Sequence, residues 1–259
     1  MSLEKSLVVS LFARESYIPE QYDAVIDSII PEILMLSRIV LKEYQDSARN
    51  KSLLESRISG MLVTSINTLV SAFIMIREGY FKEPQILLRS VVEIVSSAVD
   101  LRKNPQKIDS FVNGKHSSTK SITIANSLIP HESPLTGATY GLLSHNIVHL
   151  NVLDFFPPHY DTFNEAMFFG SVKNEEEVWR ISRSLHMACT ILDLMSAYVE
   201  YIYRSSLDTL LFWKKNTDGT LIWNLHPTMR ERIESRAWLY KVSKEGYEKK
   251  FPVASQKPL

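Results

Sequence analysis

The chain has 259 residues, of which 45% are hydrophobic and 22% are charged, so it is able to bury a sizeable core. Its 29 lysines and arginines balance 29 aspartates and glutamates, and a formal net charge of zero gives no support to a broad footprint on nucleic acid or on a membrane surface. The single cysteine, Cys189, excludes an intramolecular disulfide and favours a reducing, cytoplasmic compartment. Its apolar surroundings predict a small buried side chain and not a reactive thiol.

Two apolar stretches are candidates for a leader or a membrane span, and the sequence argues against both. The run from Leu7 to Phe12 is too short for a signal-peptide core with its cleavage site. The stretch from Ile58 to Ile76 carries no charge, but serines, threonines, an asparagine and a glycine interrupt it. We therefore predict that this stretch is a buried helix of a bundle, and that the protein has no membrane partner.

Two long helices are predicted in the first part of the chain. The first runs from Ile18 to Ser47, and Pro31 inside it should kink the helix or mark a break. After a polar turn, the second runs from Leu53 to about Glu78. The link GYFKEP, bracketed by Gly79 and Pro84, is so short that the helices on either side of it must be antiparallel neighbours.

The segment from Pro84 to Lys103 is predicted to be the central helix, because it is apolar around most of its circumference. Its polar side chains recur at three- and four-residue spacing and form one narrow stripe: Gln85, Arg89, Glu93, Ser96 and Asp100. Arg89 and Glu93 stand four residues apart and can form an ordinary ion pair on a solvated face. The wide apolar arc instead favours a buried or half-buried pair, which needs further partners.

The middle of the chain is predicted to be helical with interruptions. The helical pattern continues from about Lys107 to Leu128, where Gly114 and several serines and threonines weaken it. The next helical candidate runs from Leu135 to Leu153. A polar and aromatic loop follows to about Asn174, and a long amphipathic helix then runs from Glu175 to about Arg204.

The C-terminal part combines a turn signal with a charged helix. The tripeptide at 217–219, Thr-Asp-Gly, lies between two apolar pieces and suits either a small β-hairpin or a helix end followed by a loop. The tail from Pro227 to about Tyr247 reads as a strongly charged helix. We therefore predict an all-α fold, a bundle of about five to seven helices with one small β-hairpin near residue 219. A single domain is expected, with the core bundle at about 18–204 and the C-terminal part at 205–250.

Two histidines on one predicted helix offer a possible metal site. His145 and His149 stand four residues apart, which places both rings on one helix face, as in zinc peptidases. Asn146 stands where the catalytic glutamate of those enzymes would be, and only Asp154 and His159 follow nearby as further ligands. A metal-binding hydrolase is therefore an alternative function, but we predict no resident metal or other cofactor.

Two sequence motifs resemble a known family. The run GYFKEPQILLRSVVEIVSSAVDL carries Leu-Arg-Ser-x-x-Glu, and the later run YGLLSHNIVHLN carries Tyr-x-x-Leu-Ser-x-x-x-x-His. Together they resemble an all-helical bacterial family of unknown function that is similar to HEPN domains (higher eukaryotes and prokaryotes nucleotide-binding). The matching positions are Arg89, Ser90, Glu93, Tyr140, Leu143, Ser144 and His149. The resemblance implies a HEPN-like bundle, association with a second copy, and a role in bacterial stress or phage defence.

The resemblance also implies a candidate enzyme activity. HEPN ribonucleases cut RNA without metal through an Arg-x(4-6)-His motif at a dimer interface, and the segment RISRSLH from Arg180 to His186 has this spacing. Ile181 stands where the family usually has a polar residue. In an RNA endonuclease His186 would be the general acid or base, and Arg180 would hold the scissile phosphate. RNA is thus a possible partner, although the net charge does not support it.

A second polar group combines residues of two predicted helices. Arg89 and Glu93 lie on the central helix, and Tyr140, Ser144 and His149 lie on the later helix. If RNA is cut, Arg89 and His149 are the alternative arginine–histidine pair, with Glu93 orienting the arginine and the tyrosine and serine hydroxyls forming hydrogen bonds nearby. The same group suits a purely structural polar network between the helices, and we favour that role for it.

Overall fold

A computed structural model describes residues 18–129, 136–147, 159–161, 166–168 and 178–250 of the chain. Within these ranges the four longest helices are α1 (Glu20–Arg49), α2 (Leu53–Arg77), α3 (Glu83–Lys103) and α7 (Val178–Ile202). The shorter helices are α4 (Ile108–Val112), α5 (Ser118–Asn126), α6 (Thr136–Ile147), α8 (Pro227–Ser235) and α9 (Ala237–Lys250). Two antiparallel strand pairs join β1 (His159–Asp161) to β2 (Ala166–Phe168) and β3 (Trp213–Lys215) to β4 (Leu221–Trp223). The predicted helical bundle with a hairpin near residue 219 is confirmed.

Helix α3 lies at the centre of the bundle and packs against α2, α5, α6 and α7. Its apolar arc is covered as predicted, and Leu88, Val91 and Ala98 are completely buried. The short link before α3 makes α2 and α3 direct neighbours. It begins with a Schellman turn, in which Gly79 adopts a φ of 83° and donates its backbone N–H to the carbonyl of Ile76 at 2.9 Å.

Helix α1 runs without interruption from Glu20 to Arg49, so Pro31 does not break it. Pro31 lies on the exposed side of the helix, where the carbonyl group that loses its hydrogen-bond partner is able to bind water. The turn to α2 contains Lys51, which has a φ of 53°. Ser52 then caps α2 by accepting a backbone N–H of its first turn at 3.3 Å.

Helix α2 is the element of the described ranges that is long and apolar enough, by length and composition, to cross a membrane. It packs against both α1 and α3 in the bundle. The hydroxyl groups of Thr64, Thr68 and Ser71 each donate to the carbonyl four residues earlier, so these polar side chains are satisfied within the helix.

The middle of the chain is more divided than its sequence pattern suggests. The helix predicted from Lys107 to Leu128 is two helices, because Gly114 takes a φ of 67° after α4 and α5 begins only at Ser118. The end of the next predicted helix and most of the loop after it lie outside the described residues. Strands β1 and β2 pair within that stretch, and the sequence did not predict them.

The predicted hairpin in the C-terminal part is confirmed. Gly219 adopts a φ of 83°, and Asp218 Oδ1 accepts the backbone N–H two residues later at 2.9 Å, which closes the turn. Trp213 and Trp223 stand opposite each other in the strand pair, with their ring centroids 5.3 Å apart and edge to face. Trp213 also donates its Nε1–H to the carbonyl of Ala197 at 2.7 Å, which attaches the hairpin to α7.

The charged helix predicted after Pro227 is two helices, α8 and α9, which are separated at Arg236. The Arg236 guanidinium is buried, and its Nη2 donates to both carboxylate oxygens of Asp193 on α7 at 2.9 and 3.0 Å. On α8, Arg232 Nη2 donates to Glu32 Oε1 of α1 at 2.6 Å. One buried ion pair and one half-buried ion pair therefore hold the C-terminal helices on the bundle, and the sequence did not predict them.

Burial also determines how the acidic groups and the thiol beside these ion pairs ionise. Burial raises the pKa of Asp193 and of Glu32, and the nearby arginines oppose that change. Burial likewise raises the pKa of the Cys189 thiol to about 12. The predicted burial of Cys189 is therefore confirmed.

Candidate functional site

Arg89, Glu93 and Tyr140 form a closed hydrogen-bonded triangle between α3 and α6. Arg89 donates from Nε to Glu93 Oε1 at 3.2 Å and from Nη2 to the Tyr140 hydroxyl at 3.0 Å. The Tyr140 hydroxyl donates to the same Glu93 oxygen at 3.0 Å, and the guanidinium lies 5.2 Å from the tyrosine ring centroid. The side chains of Arg89 and Glu93 are 27% and 29% exposed. The ion pair is therefore half-buried and has a third partner.

Contacts at the start of α6 hold Tyr140 over α3. The backbone N–H of Gly137 donates to Asn126 Oδ1 at the end of α5, at 3.1 Å. The hydroxyl of Thr136 shares a hydrogen bond with the hydroxyl of Tyr198 on α7, which in turn donates to the carbonyl of Ala125 at 3.0 Å. Helix α6 is thus tied to α5 and α7 one turn before Tyr140, so the position of the triangle is fixed by the bundle.

Of the other predicted site residues, the structure describes the side chain of Ser144 but not those of His145 and His149. Ser144 lies one turn after Tyr140, and its Oγ is buried without a hydrogen-bond partner in the part of the chain that the structure describes. The side chain of His145 and all of His149 lie outside that part. Among the described residues there is no group of three histidine, cysteine, aspartate or glutamate side chains that could hold a metal ion.

An open cavity of about 700 Å³ adjoins the triangle and is bordered by α1, α2, α3, α4 and α5. Glu93 belongs both to the triangle and to the lining of this cavity. Two aromatic side chains, Tyr44 and Phe111, lie in its wall. Arg57 and Gly60 of α2 also line the cavity. Its volume lies within the range of sites that bind small molecules.

A chain of hydrogen bonds runs from a buried carboxylate to the other end of this cavity. Asp100 is 1% exposed and accepts hydrogen bonds from Lys107 Nζ at 2.8 Å, Asn104 Nδ2 at 2.7 Å and Ser121 Oγ at 2.9 Å. Burial alone would favour the neutral acid, but these hydrogen bonds hold the pKa of Asp100 below its ordinary value. Asp100 is therefore an anion at neutral pH, and it accepts every one of these bonds.

His116 continues this chain to the cavity. Its Nε2 lies 2.8 Å from Ser121 Oγ and 3.2 Å from Ser97 Oγ, and its ring is stacked on Phe111 with centroids 3.6 Å apart. Ser97 and Phe111 both line the cavity. Burial lowers the pKa of His116, so its ring is neutral near pH 7. The cavity is thus bordered by Glu93 at one turn of α3 and by a histidine-bound serine at the next.

This second polar group was missed in the sequence. Ser97 follows Glu93 by four residues, so helical spacing was a usable signal that both side chains share one face of α3. His116 and Ser121 offered no such signal, because His116 lies in the loop between α4 and α5. Ser121 contacts Asp100 and His116 only because this loop folds back onto α3, and no local periodicity in the sequence predicts that path.

The predicted ribonuclease pair is not brought together within the chain. Arg180 lies in the first turn of α7, with its guanidinium 4.9 Å from the Phe81 ring centroid. His186 lies on α7 against Tyr240 of α9, with ring centroids 5.5 Å apart. Six residues along a helix separate two side chains by roughly 120° around its axis. The two side chains therefore contact different neighbours on different faces of α7.

Acidification from pH 7 to pH 5 is expected to destabilise the protein partly through His186. Burial lowers the pKa of His186 in the folded chain, and the positive charge of Arg236 lowers it further, so the unfolded chain binds more protons. The contribution of neutral His186 to the free energy of unfolding is fully present above the pKa of about 6.5 that a histidine has in the unfolded chain. This contribution is lost as the pH falls through the lower pKa of His186 in the folded chain. Urea unfolding at several pH values should show a flatter pH dependence for His186→Gln. Equal slopes for both proteins would contradict this assignment.

Comparisons with protein-family models, with curated proteins and with solved structures find no match. The fold and the candidate site therefore define the class of the protein in structural terms only. It is a helical bundle in which a half-buried Arg-Glu-Tyr triangle borders an open cavity.

Proposed function

We propose that this chain is a HEPN-like module of the bacterial cytoplasm, acting in stress or phage defence, that binds a small molecule in the cavity bordered by Glu93. The observation that carries the proposal is the double role of Glu93, whose carboxylate is held by Arg89 and Tyr140 and whose side chain also lines the cavity. The family assignment and its setting rest on the sequence motifs, and a second copy of the chain remains part of the proposal.

The hydrogen bonds of the triangle orient the Glu93 carboxylate in the absence of a ligand. Both hydrogen bonds from Arg89 and Tyr140 end on Oε1, so the orientation of the carboxylate is fixed by the bundle. A carboxylate that is already oriented loses less conformational freedom on binding than a free surface glutamate does. The remaining lone pairs of Glu93 make it an acceptor for an N–H or O–H group in the cavity.

The rest of the lining favours a ligand with a flat apolar body. Tyr44 and Phe111 provide aromatic surface, and Leu53, Met61 and Ile94 provide aliphatic surface. The other side chains of the lining are polar or charged, namely Ser56, Arg57, Thr64, Glu93, Ser97 and Ser118. Small-molecule sites combine apolar surface with polar groups that fix the orientation of the ligand. A ribonucleic acid chain would need a larger and more basic surface, and the formal net charge of the chain is zero.

The two other functions considered from the sequence depend on other residues. A ribonuclease acting through Arg180 and His186 would need both groups at one phosphate, and since these side chains contact different neighbours within one chain, it would depend on a second copy of the chain. A metal-dependent hydrolase would depend on His145 and His149, whose side chains lie outside the described residues.

The proposal is tested by a substitution that places a larger side chain in the cavity. A side chain at Gly60 of α2 would meet only Tyr44 within 4 Å, at 3.9 Å, so Gly60→Leu can occupy the cavity without displacing backbone. The matched control is Gly141→Leu, because Gly141 is also helical, is exposed, and has no atom of the described residues within 4 Å of an added Cβ. Both substitutions replace a helical glycine, which by itself favours the helix.

The probes are benzamide, benzoate and benzamidine, which share one ring and differ in their polar group. Saturation-transfer NMR should detect transfer from the unmodified protein and from Gly141→Leu to at least one of the three probes. Gly60→Leu should abolish that transfer, since the leucine takes the volume of the ring. Undiminished transfer from Gly60→Leu, or no transfer from the unmodified protein to any probe, would refute the proposed function.

A further inference from the structure

The hydrogen-bond chain behind the cavity determines which atom of His116 carries its proton. Ser121 has a single hydroxyl proton and lies 2.9 Å from Asp100 Oδ2, and an ionised carboxylate has no proton to donate. Ser121 must therefore donate to Asp100. The contact of 2.8 Å between Ser121 Oγ and His116 Nε2 is then a hydrogen bond only if Nε2 donates. The neutral His116 ring is consequently the Nε2–H tautomer.

This tautomer sets the direction of the Ser97 hydroxyl. Because Nε2 carries its one hydrogen and cannot accept, its contact of 3.2 Å with Ser97 Oγ is the longer branch of a hydrogen bond shared with Ser121, and the Ser97 oxygen accepts in it. Among the described residues this contact is the one hydrogen bond of the Ser97 hydroxyl, so the proton of Ser97 is not used by His116. Ser97 lines the cavity, and its hydroxyl is therefore a donor for a group inside it.

The two polar groups of α3 are complementary in character. Glu93 and Ser97 stand four residues apart on one face of the helix, with Glu93 an acceptor and Ser97 a donor. The Phe111 ring stands beside them, and its position is supported by the stacked ring of His116. A ligand that satisfies both groups carries an acceptor atom and an N–H or O–H donor next to a flat ring.

The geometry points to a ligand class: a neutral aromatic compound with an amide-type edge, whose carbonyl accepts from Ser97 and whose N–H donates to Glu93. This inference rests on the proposed function, since it concerns the same cavity. It disfavours a simple anion, because a carboxylate would face Glu93 with no proton to share. It equally disfavours a simple cation with donors only, because such a group has no acceptor for Ser97. Arg57 also lines the cavity, and an anionic probe that binds in competition with the neutral one would pair with its guanidinium.

The three matched probes distinguish these possibilities. Benzamide offers a donor and an acceptor, benzoate offers acceptors only, and benzamidine offers donors only. Titrations followed by NMR on the full chain should rank benzamide as the tightest. Ser97→Ala should weaken benzamide by about threefold to tenfold, the effect of one net hydrogen bond. Ser90→Ala on the same helix, whose hydroxyl bonds the carbonyl of Ile86 and does not line the cavity, should leave the affinity unchanged.

A second measurement uses the protein without substitution at the site. Long-range ¹H–¹⁵N correlation spectra of the imidazole rings distinguish the two tautomers, and His116→Gln identifies the His116 signals. The Nε2–H form is expected, and the Nδ1–H form would refute the donor role of Ser97. Tighter binding of benzoate or benzamidine than of benzamide, or no effect of Ser97→Ala, would also overturn this inference. Those outcomes leave the proposed function standing, because Gly60→Leu and the detection of any bound probe test it separately.

Discussion

Arg236→Met should lower the free energy of unfolding by about 3–5 kcal/mol, the usual result of removing one partner of a buried ion pair. Asp193 would remain buried with its charge uncompensated, because both of its oxygens accept from Arg236 in the native protein. Methionine keeps much of the volume of the arginine stem, so the loss reports the charge and not a cavity. Urea unfolding at pH 7, followed by far-ultraviolet circular dichroism, measures the change.

Two controls isolate the ion pair. Arg49→Met removes an arginine whose side chain is 77% exposed and which pairs with Asp46, and it should cost at most about 1 kcal/mol. The double variant Arg236→Met with Asp193→Leu removes both charges together and should recover most of the stability lost in Arg236→Met. A loss below about 1 kcal/mol for Arg236→Met itself would show that the pair does not hold the C-terminal helices.

Leu88→Ala should be the second strongly destabilising substitution, with a loss of about 2–5 kcal/mol. Leu88 is completely buried at the centre of the bundle, on the helix that packs against four others. Truncation removes apolar contacts and leaves a cavity that the surrounding helices fill only in part. The same urea unfolding experiment measures the loss.

Ile86→Ala is the matched control for the central helix. Ile86 lies two residues earlier on α3 and is 52% exposed, so its truncation removes little buried surface. Helix propensity even favours alanine over isoleucine at an exposed position. A loss for Ile86→Ala as large as that for Leu88→Ala would contradict the placement of α3 at the centre of the bundle.

Helical periodicity explains how much of this architecture could be predicted. The wide apolar arc of α3 predicted its central position, and the short link at Gly79 predicted that α2 and α3 are neighbours. The Asp218-Gly219 turn predicted the β3–β4 hairpin, because glycine readily adopts the positive φ found there. Each of these signals is local, so the sequence carries it directly.

The features that the sequence did not predict depend on contacts between distant residues. Arg232 binds Glu32, which lies 200 positions earlier in the chain. The sequence of a charged C-terminal helix does not distinguish arginines that pack against the bundle from arginines that face water. The division of that tail into α8 and α9 follows from the burial of Arg236, which no local pattern marks. His116 is a further case, because a loop and not a helix brings it to Ser97.

The candidate site was predicted in part for the same reason. Arg89, Glu93 and Tyr140 lie on two helices that the sequence motifs grouped together, and the structure brings these three side chains together. The cavity beside them was not predicted. It is bordered by five helices, and its volume depends on the angles at which they pack.

Intermolecular nuclear Overhauser effects test the central claim, that the cavity bordered by Glu93 is a ligand site. The ring protons of the tightest-binding probe, in complex with ¹³C-labelled protein, should show contacts to the Met61 methyl group and to the Phe111 ring, both of which line the cavity. Contacts to Tyr240 or to other residues remote from this lining, with none to Met61 and Phe111, would contradict the account.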